Sequence, residues 1–189
     1  REMTNVDPKK MTDRQIVTRP ITDYIVNERE KIRRSTVGYP CVALAQEAEM
    51  SLDEYEDFVF AACLQNWDKL GKEIKKILKK FQKGKEVHLL GRGVDLKFKI
   101  HGDKAKDDLD GDNIPCGEIF MAPVRESLEG WIKFDYPAIE SGKEVTDIRL
   151  EFKKGKVVKF SASKNKNFLR QMLSTDKNAS YVGEFGIGM

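Results

Sequence analysis

The apolar residues of this chain change their spacing once, at Gly84, and that change limits what each half can fold into. Before it, Leu52, Tyr55, Phe58, Val59 and Ala62 recur at a helical period, as do Leu70, Ile74, Ile77, Leu78 and Phe81. After it, Val94, Leu96, Phe98 and Ile100 alternate with Asp95, Lys97, Lys99 and His101. A period near 3.6 lays an apolar stripe along a helix, whereas a period of 2 lays it on one face of a strand. The pattern predicts helices within residues 10–83 and mostly antiparallel strands within 86–162. Phe168, Leu169, Met172 and Leu173 then mark a short helix near 166–174.

Punctuation sharpens this reading. Ser51 with Glu54, and Thr12 with Gln15, have the capping-box spacing, in which a hydroxyl and a side chain three residues on satisfy free amides. Pro20 is expected to end or kink a helix, because its ring displaces the preceding carbonyl and it offers no amide. Gly91-Arg92-Gly93 reads as a tight turn. Ile148, Leu150 and Phe152 alternate up to Lys153-Lys154-Gly155-Lys156 and Val158, Phe160 and Ala162 alternate after it, the pattern of a hairpin. The expected class is α+β, with a boundary at Gly84 between a helical part, residues 1–84, and a β-rich part, residues 85–189.

Charge and cysteine usage exclude more than they specify. The 34 Lys and Arg against 31 Asp and Glu leave a net charge of +3, too small for the concentrated basic footprint of a nucleic-acid partner. Lys72, Lys75, Lys76, Lys79 and Lys80 crowd one helix face, which reads as a solvated face; phosphate binding there is the weaker alternative. Cys41, Cys63 and Cys116 are odd in number and fit neither a zinc knuckle nor a redox pair, so they read as reduced thiols in a cytoplasmic protein. No apolar run is long enough to cross a bilayer, and Arg1-Glu2-Met3-Thr4 does not open a signal peptide. With no initiator Met, and with Gly183 to Met189 stopping inside a motif, the chain reads as an internal fragment.

Several chemistries are excluded by pattern. Asp103 to Asn113 is rich in aspartate, yet with Gly111 at the sixth position of a calcium loop, Lys106 and Gly117 fall where acids are required, leaving an acidic surface loop. The Gly91–Gly93 pair lacks the third glycine and the helix of a dinucleotide fingerprint. His88 and His101 fall on expected strands with no second His or carboxylate at ligand spacing. Two glutamates remain. Glu118, on an expected strand, shares a face with Phe120 opposite Ile119 and Met121, and a carboxylate among large apolar groups is costly unless it is paired or bound to a metal. Glu184 stands among Gly183, Gly186 and Gly188, where a backbone can approach a site closely. Residue chemistry alone leaves metal ligation and ordinary ion pairing both open for these two.

The segments around them carry a resemblance. Asn113 to Val124 (NIPCGEIFMAPV) resembles the N-x-P-x-G-E-[IV]-F-T-[AG]-P-V segment of the thermophilic metal-dependent aminopeptidase family, the aminopeptidases T, S and II. Gly183 to Gly188 (GEFGIG) resembles that family's G-E-[FL]-[AG]-I-G segment. Arg1–Pro8, Tyr39-Pro40, Ala43–Phe58, Trp67-Asp68 and Gly142–Val145 are similar to family sequence in the same order, so the likeness spans essentially the whole chain. Cys116 and Met121 depart from the pattern beside the first glutamate, which bears on metal preference.

The resemblance implies that Glu118 and Glu184 are ligands of two divalent metal ions: cobalt, zinc, magnesium or manganese. The other ligands, histidines and an aspartate, and a tyrosine near the reaction centre lie in a later family segment. It implies release of N-terminal residues from peptides by two-metal hydrolysis, a cytoplasmic homodimer with a peptide substrate, and no nucleic-acid or membrane partner. Residues 1–84 would then be the helical part of an α/β N-terminal domain and residues 85–189 the first part of an antiparallel β-rich catalytic domain, with this chain inactive alone. The alternative is a non-catalytic dimerisation or binding module on the same fold.

Overall fold

Helix gives way to strand at Gly84 in the computed structural model, which describes residues 8–28, 32–109, 111–140 and 142–189. In chain order the elements are α1 (Pro8–Asn27), β1 (Thr36–Val37), α2 (Val42–Glu47), α3 (Leu52–Cys63), α4 (Trp67–Phe81), β2 (Glu86–Gly91), β3 (Val94–Lys99) and a 3-10 turn (Gly102–Lys104). There follow β4 (Lys106–Asp107), β5 (Asn113–Ile114), β6 (Glu118–Met121), β7 (Glu129–Lys133), β8 (Ala138–Glu140), β9 (Lys143–Val145), β10 (Arg149–Lys153), β11 (Lys156–Ser161), α5 (Lys166–Leu173) and β12 (Phe185–Gly188). The class is α+β. Among the described strands every pairing is antiparallel except that of β1 with β5.

The chain divides into two compact units, Arg1–Trp67 with Asp108–Cys116, and Asp68–Asp107 with Gly117–Met189. Thus α4, which precedes Gly84, groups with the strands.

In the first unit, α3 begins as its sequence requires. The Ser51 hydroxyl accepts from the Glu54 amide, and the Glu54 carboxylate accepts from the Ser51 amide at 2.9 Å. Thr12, by contrast, lies inside α1, which already runs from Pro8; the side chains of Thr12 and Gln15 lie outside the described residues. Pro20 does not end that helix, which continues to Asn27. Around it the Thr18 and Thr22 hydroxyls donate to carbonyls four residues back, and Arg19 bridges to Asp23 at 2.9 Å, local contacts that support the turn deprived of an amide. The aspartate-rich stretch also differs from an open surface loop. Asp108 is buried and accepts from the Asn113 side chain at 3.1 Å, because β5 pairs with β1 and draws the segment inward.

In the second unit, Ile74 and Leu78 of α4 are buried while the five lysines of the opposite face are exposed. A five-stranded sheet has the order β11-β10-β7-β3-β2, and a three-stranded sheet the order β12-β6-β4. Gly91 pairs with Val94 across the two-residue turn between β2 and β3. The second hairpin turns at Lys154 and Gly155, with φ of 50° and 76°, the positive pair that a two-residue turn uses to match strand twist. Its register is not the simple alternation expected. A bulge at Glu151/Phe152 pairs Phe152 with Val157, so Val158 is turned out and 61% exposed. The core of this unit gathers Leu96, Phe98, Ile100, Ile119, Met121, Leu128, Val145, Ile148 and Phe152. No helix among the described residues is long and apolar enough to cross a membrane.

The cap of α3 is open to test. Replacing Ser51 by Ala should lower unfolding stability by about 1 kcal/mol. The amide and hydroxyl of Ser51 hold the Glu54 carboxyl below its ordinary pKa. A depressed folded value stabilises above the unfolded pKa and is lost as pH falls through the folded one. Thermal melts between pH 6 and 3 should therefore show a smaller acid-induced loss in Ser51→Ala than in the wild type.

Candidate metal centre

β6 and β12 lie side by side because each presents one apolar face to the same core. Ile119 is fully buried and Met121 is 3% exposed, and the ring of Phe185 meets Phe98 edge-on at 5.1 Å. The ladder pairs Phe185 with Met121, Gly186 with Phe120, Ile187 with Ile119 and Gly188 with Glu118. Directly opposed residues of an antiparallel pair share a face. With Met121 turned inward, Glu118, Phe120, Gly186 and Gly188 fall on the outer face. The alternation expected for Glu118 and Phe120 against Ile119 and Met121 is the one observed.

Glu184 directly precedes β12, and carrying the alternation back one step puts it on the same face as Gly186 and Gly188. The ladder thus brings the two segments together, with the glutamates toward opposite ends of it. Glu184 stands four residues from Gly188, the partner of Glu118, or roughly 14 Å at about 3.4 Å per residue. The Glu118 side chain shortens that gap. Its Oε2 lies 3.0 Å from where a Cβ on Gly186 would stand, two residues nearer Glu184, which recovers roughly 7 Å.

Glu118 is half-buried and Glu184 exposed, and neither has a hydrogen-bond or ion-pair partner among the described residues. Two unpaired carboxylates, with the Phe120–Gly186 pair between their positions, are hard-oxygen donors of the kind suited to divalent cations. They fit as part of a metal site. Among the described residues no group of three His, Cys, Asp or Glu is gathered for a metal.

The histidines behave differently from one another. His101 is not on a strand but stands immediately before the 3-10 turn, at its N-cap position, with no side-chain capping hydrogen bond. His88, expected to lack a carboxylate, has Asp95 at 2.9 Å from its Nε2, both side chains about half exposed. The sequence held the signal: a turn that pairs Gly91 with Val94 pairs Leu90 with Asp95, and His88 is the diagonal neighbour on that face.

Comparison with known proteins bears on this geometry. A family model described as thermophilic metalloprotease (M29) matches residues 1–189. The chain is similar to aminopeptidase T of Thermus thermophilus, 36% identical over 75 residues, or 40% of this chain. It is also similar to aminopeptidase AmpS of Bacillus subtilis, 27% identical over 75 residues. The match spans only 18% of the length of each of these curated relatives. Among solved structures, wild-type AmpT from Thermus thermophilus aligns with a TM-score of 0.60 at 24% identity, covering 72% of this chain and 38% of that one. A 2,5-dihydroxypyridine dioxygenase from Pseudomonas putida aligns at 0.51 and 19% identity, covering 69% and 41%. At such identities the structural likenesses establish the fold alone.

Core and site faces of β6 should respond differently to substitution. Ile119→Ala, which empties a fully buried position, should cost about 2–5 kcal/mol. Glu118→Gln on the outer face should change stability by no more than about 0.5 kcal/mol. Urea unfolding of both variants measures the difference.

Proposed function

The chain belongs to the thermophilic metalloprotease (M29) family, and from that premise we propose that it forms part of a metallo-aminopeptidase. The reaction is hydrolysis of the first peptide bond of a peptide, releasing its N-terminal residue. The observation that carries this reading is that Glu118, on the outer face of β6, and Glu184, immediately before the paired strand β12, both lack a partner among the described residues. The relatives named aminopeptidase support the same activity.

In this reading both glutamates are ligands of two divalent ions, of cobalt, zinc, magnesium or manganese. A bound pair supplies water of lowered pKa and polarises the scissile carbonyl. The protein's part is positional. Glu118 and Glu184 donate carboxylate oxygens and offset the cationic charge. The burial of Ile119 and Met121 fixes the strand that carries Glu118. Phe120, half-buried on the same face, sets an apolar surface beside the carboxylates and limits the approach of bulk water.

The unit of Asp68–Asp107 with Gly117–Met189 then belongs to the catalytic domain, and the unit of Arg1–Trp67 with Asp108–Cys116 to an N-terminal domain. The free-standing apolar side chains of α1, Ile16, Val17 and Ile21, each more than 60% exposed, support association of this chain into a homodimer. With no disulfide among Cys41, Cys63 and Cys116, the thiols suit a cytoplasmic setting. Since two carboxylates leave most of a coordination sphere to water, this chain by itself is inactive.

Release of p-nitroaniline from aminoacyl p-nitroanilides, with and without added cobalt or zinc, tests the proposal on the full-length native polypeptide. Metal-dependent release is expected, abolished by chelation and reduced at least about a hundredfold in Glu118→Gln, with no activity from residues 1–189 alone. Full activity of Glu118→Gln at unchanged metal content would remove Glu118 from the site.

A further inference from the structure

A cleft of about 570 Å3 opens between β11 and α5, within the size range of ligand sites. Its half-buried lining is apolar, with Val157 and Phe160 from the strand and Leu173 from the helix, while its exposed lining carries Lys156, Arg170 and Lys177. The Arg170 guanidinium stands 5.8 Å from the centre of the Phe160 ring and donates to the Asn167 side chain at 3.2 Å. Neither Arg170 nor the two lysines is ion-paired among the described residues, whereas Lys159 and Lys164, close by in sequence, are paired with Glu151 and Glu144. The acid of the cleft, Asp176, has one oxygen occupied by the amides of Asn178 and Ala179, at 2.6 and 3.0 Å. Three cations against one acid, beside an apolar floor, fit an anion that carries an apolar body.

The wall of this cleft leads directly to the candidate metal centre. The Val157 amide donates to the Ser180 carbonyl at 2.9 Å. Arg125 holds the same segment, donating to Asn178 at 2.7 Å and covering the Tyr181 ring at 4.2 Å. Ser180 lines the cleft and Glu184 follows four residues later, so the two stand no more than roughly 14 Å apart at about 3.4 Å per residue. An extended peptide covers that distance in about four residues. We propose that the cleft holds a carboxylate of the peptide substrate beyond the scissile bond, with Arg170 and Lys177 as its cationic partners and Phe160 beneath the residue that carries it. The inference rests on the aminopeptidase reading and adds a substrate class to it: short peptides with a carboxylate about four residues from the N-terminus.

The test uses the full-length native polypeptide with added Co2+ and a tetrapeptide of leucine, two alanines and phenylalanine, supplied as the free acid and as the C-terminal amide. kcat/KM should favour the acid about tenfold, the scale of one hydrogen bond to a charged group, and the difference should reside in KM. In the Arg170→Gln/Lys177→Gln double variant, acid and amide should be cleaved within about twofold of each other. Release of p-nitroaniline from leucine p-nitroanilide, which has no carboxylate to place, should stay at the wild-type rate and so report that the variant is folded. A tetrapeptide amide ending in glutamate separates the two sources of the carboxylate. Cleavage as fast as that of the free acid assigns the cleft to side-chain carboxylates as well, and cleavage as slow as that of the parent amide assigns it to the terminal one alone. Equal cleavage of acid and amide by the wild type, or an acid preference that survives in the double variant, overturns the inference while the aminopeptidase reading stands. If the metal-loaded wild type cleaves neither the peptides nor the anilide, that reading falls and the inference with it.

Discussion

Ile119 and Met121 turn inward against the core, and the register of β6 with β12 follows from that burial. Each side chain contributes about 1.5–3 kcal/mol by leaving water, and Phe185 adds its edge contact with Phe98 from the facing strand. Because side chains alternate with period 2, a slip of one residue would bring Glu118 into the apolar layer and expel Ile119. An unpaired carboxylate in that layer costs far more than the slip could recover. The position of Glu118 is therefore set by its neighbours on the strand, and the glycines of β12 determine only what it finds across the ladder.

The sequence made the same alternation legible, for the same reason. A half-buried strand writes its burial in single-residue steps, so Glu118 and Phe120 could be placed opposite Ile119 and Met121 without coordinates. The Ser51–Glu54 cap and the Gly91–Gly93 turn were equally readable, since their chemistry is complete within four residues. What the sequence concealed was non-local or compensated. Pro20 sits within α1 despite its missing amide, where flanking hydroxyls and the Arg19–Asp23 pair support the helix. The bulge that turns Val158 outward depends on the partner strand β10, and a single strand's pattern cannot reveal it. His88 meets Asp95 only once the hairpin register is applied, and Asp108 is buried by a pairing between segments more than seventy residues apart in sequence.

Family membership and activity rest on different footings. The family model covers the chain, whereas the curated relatives match over 75 residues and 18% of their own length. The same fold also aligns with a dioxygenase, so architecture does not select between hydrolysis and oxidation. Under the proposed function that selection falls to the donor set, Glu118 and Glu184, which have no hydrogen-bond or ion-pair partner among the described residues and would be ligands of divalent ions.

The most direct test of that statement is the position of a bound ion. A crystal of the full-length native polypeptide grown with cobalt or zinc, with data collected at the metal's absorption edge, locates the ions by anomalous scattering. The account predicts anomalous peaks on the outer face of the β6–β12 ladder, within about 2.0–2.2 Å of carboxylate oxygens of Glu118 and Glu184. Peaks elsewhere, for instance at His88 and Asp95, with both glutamates left unliganded, would contradict it.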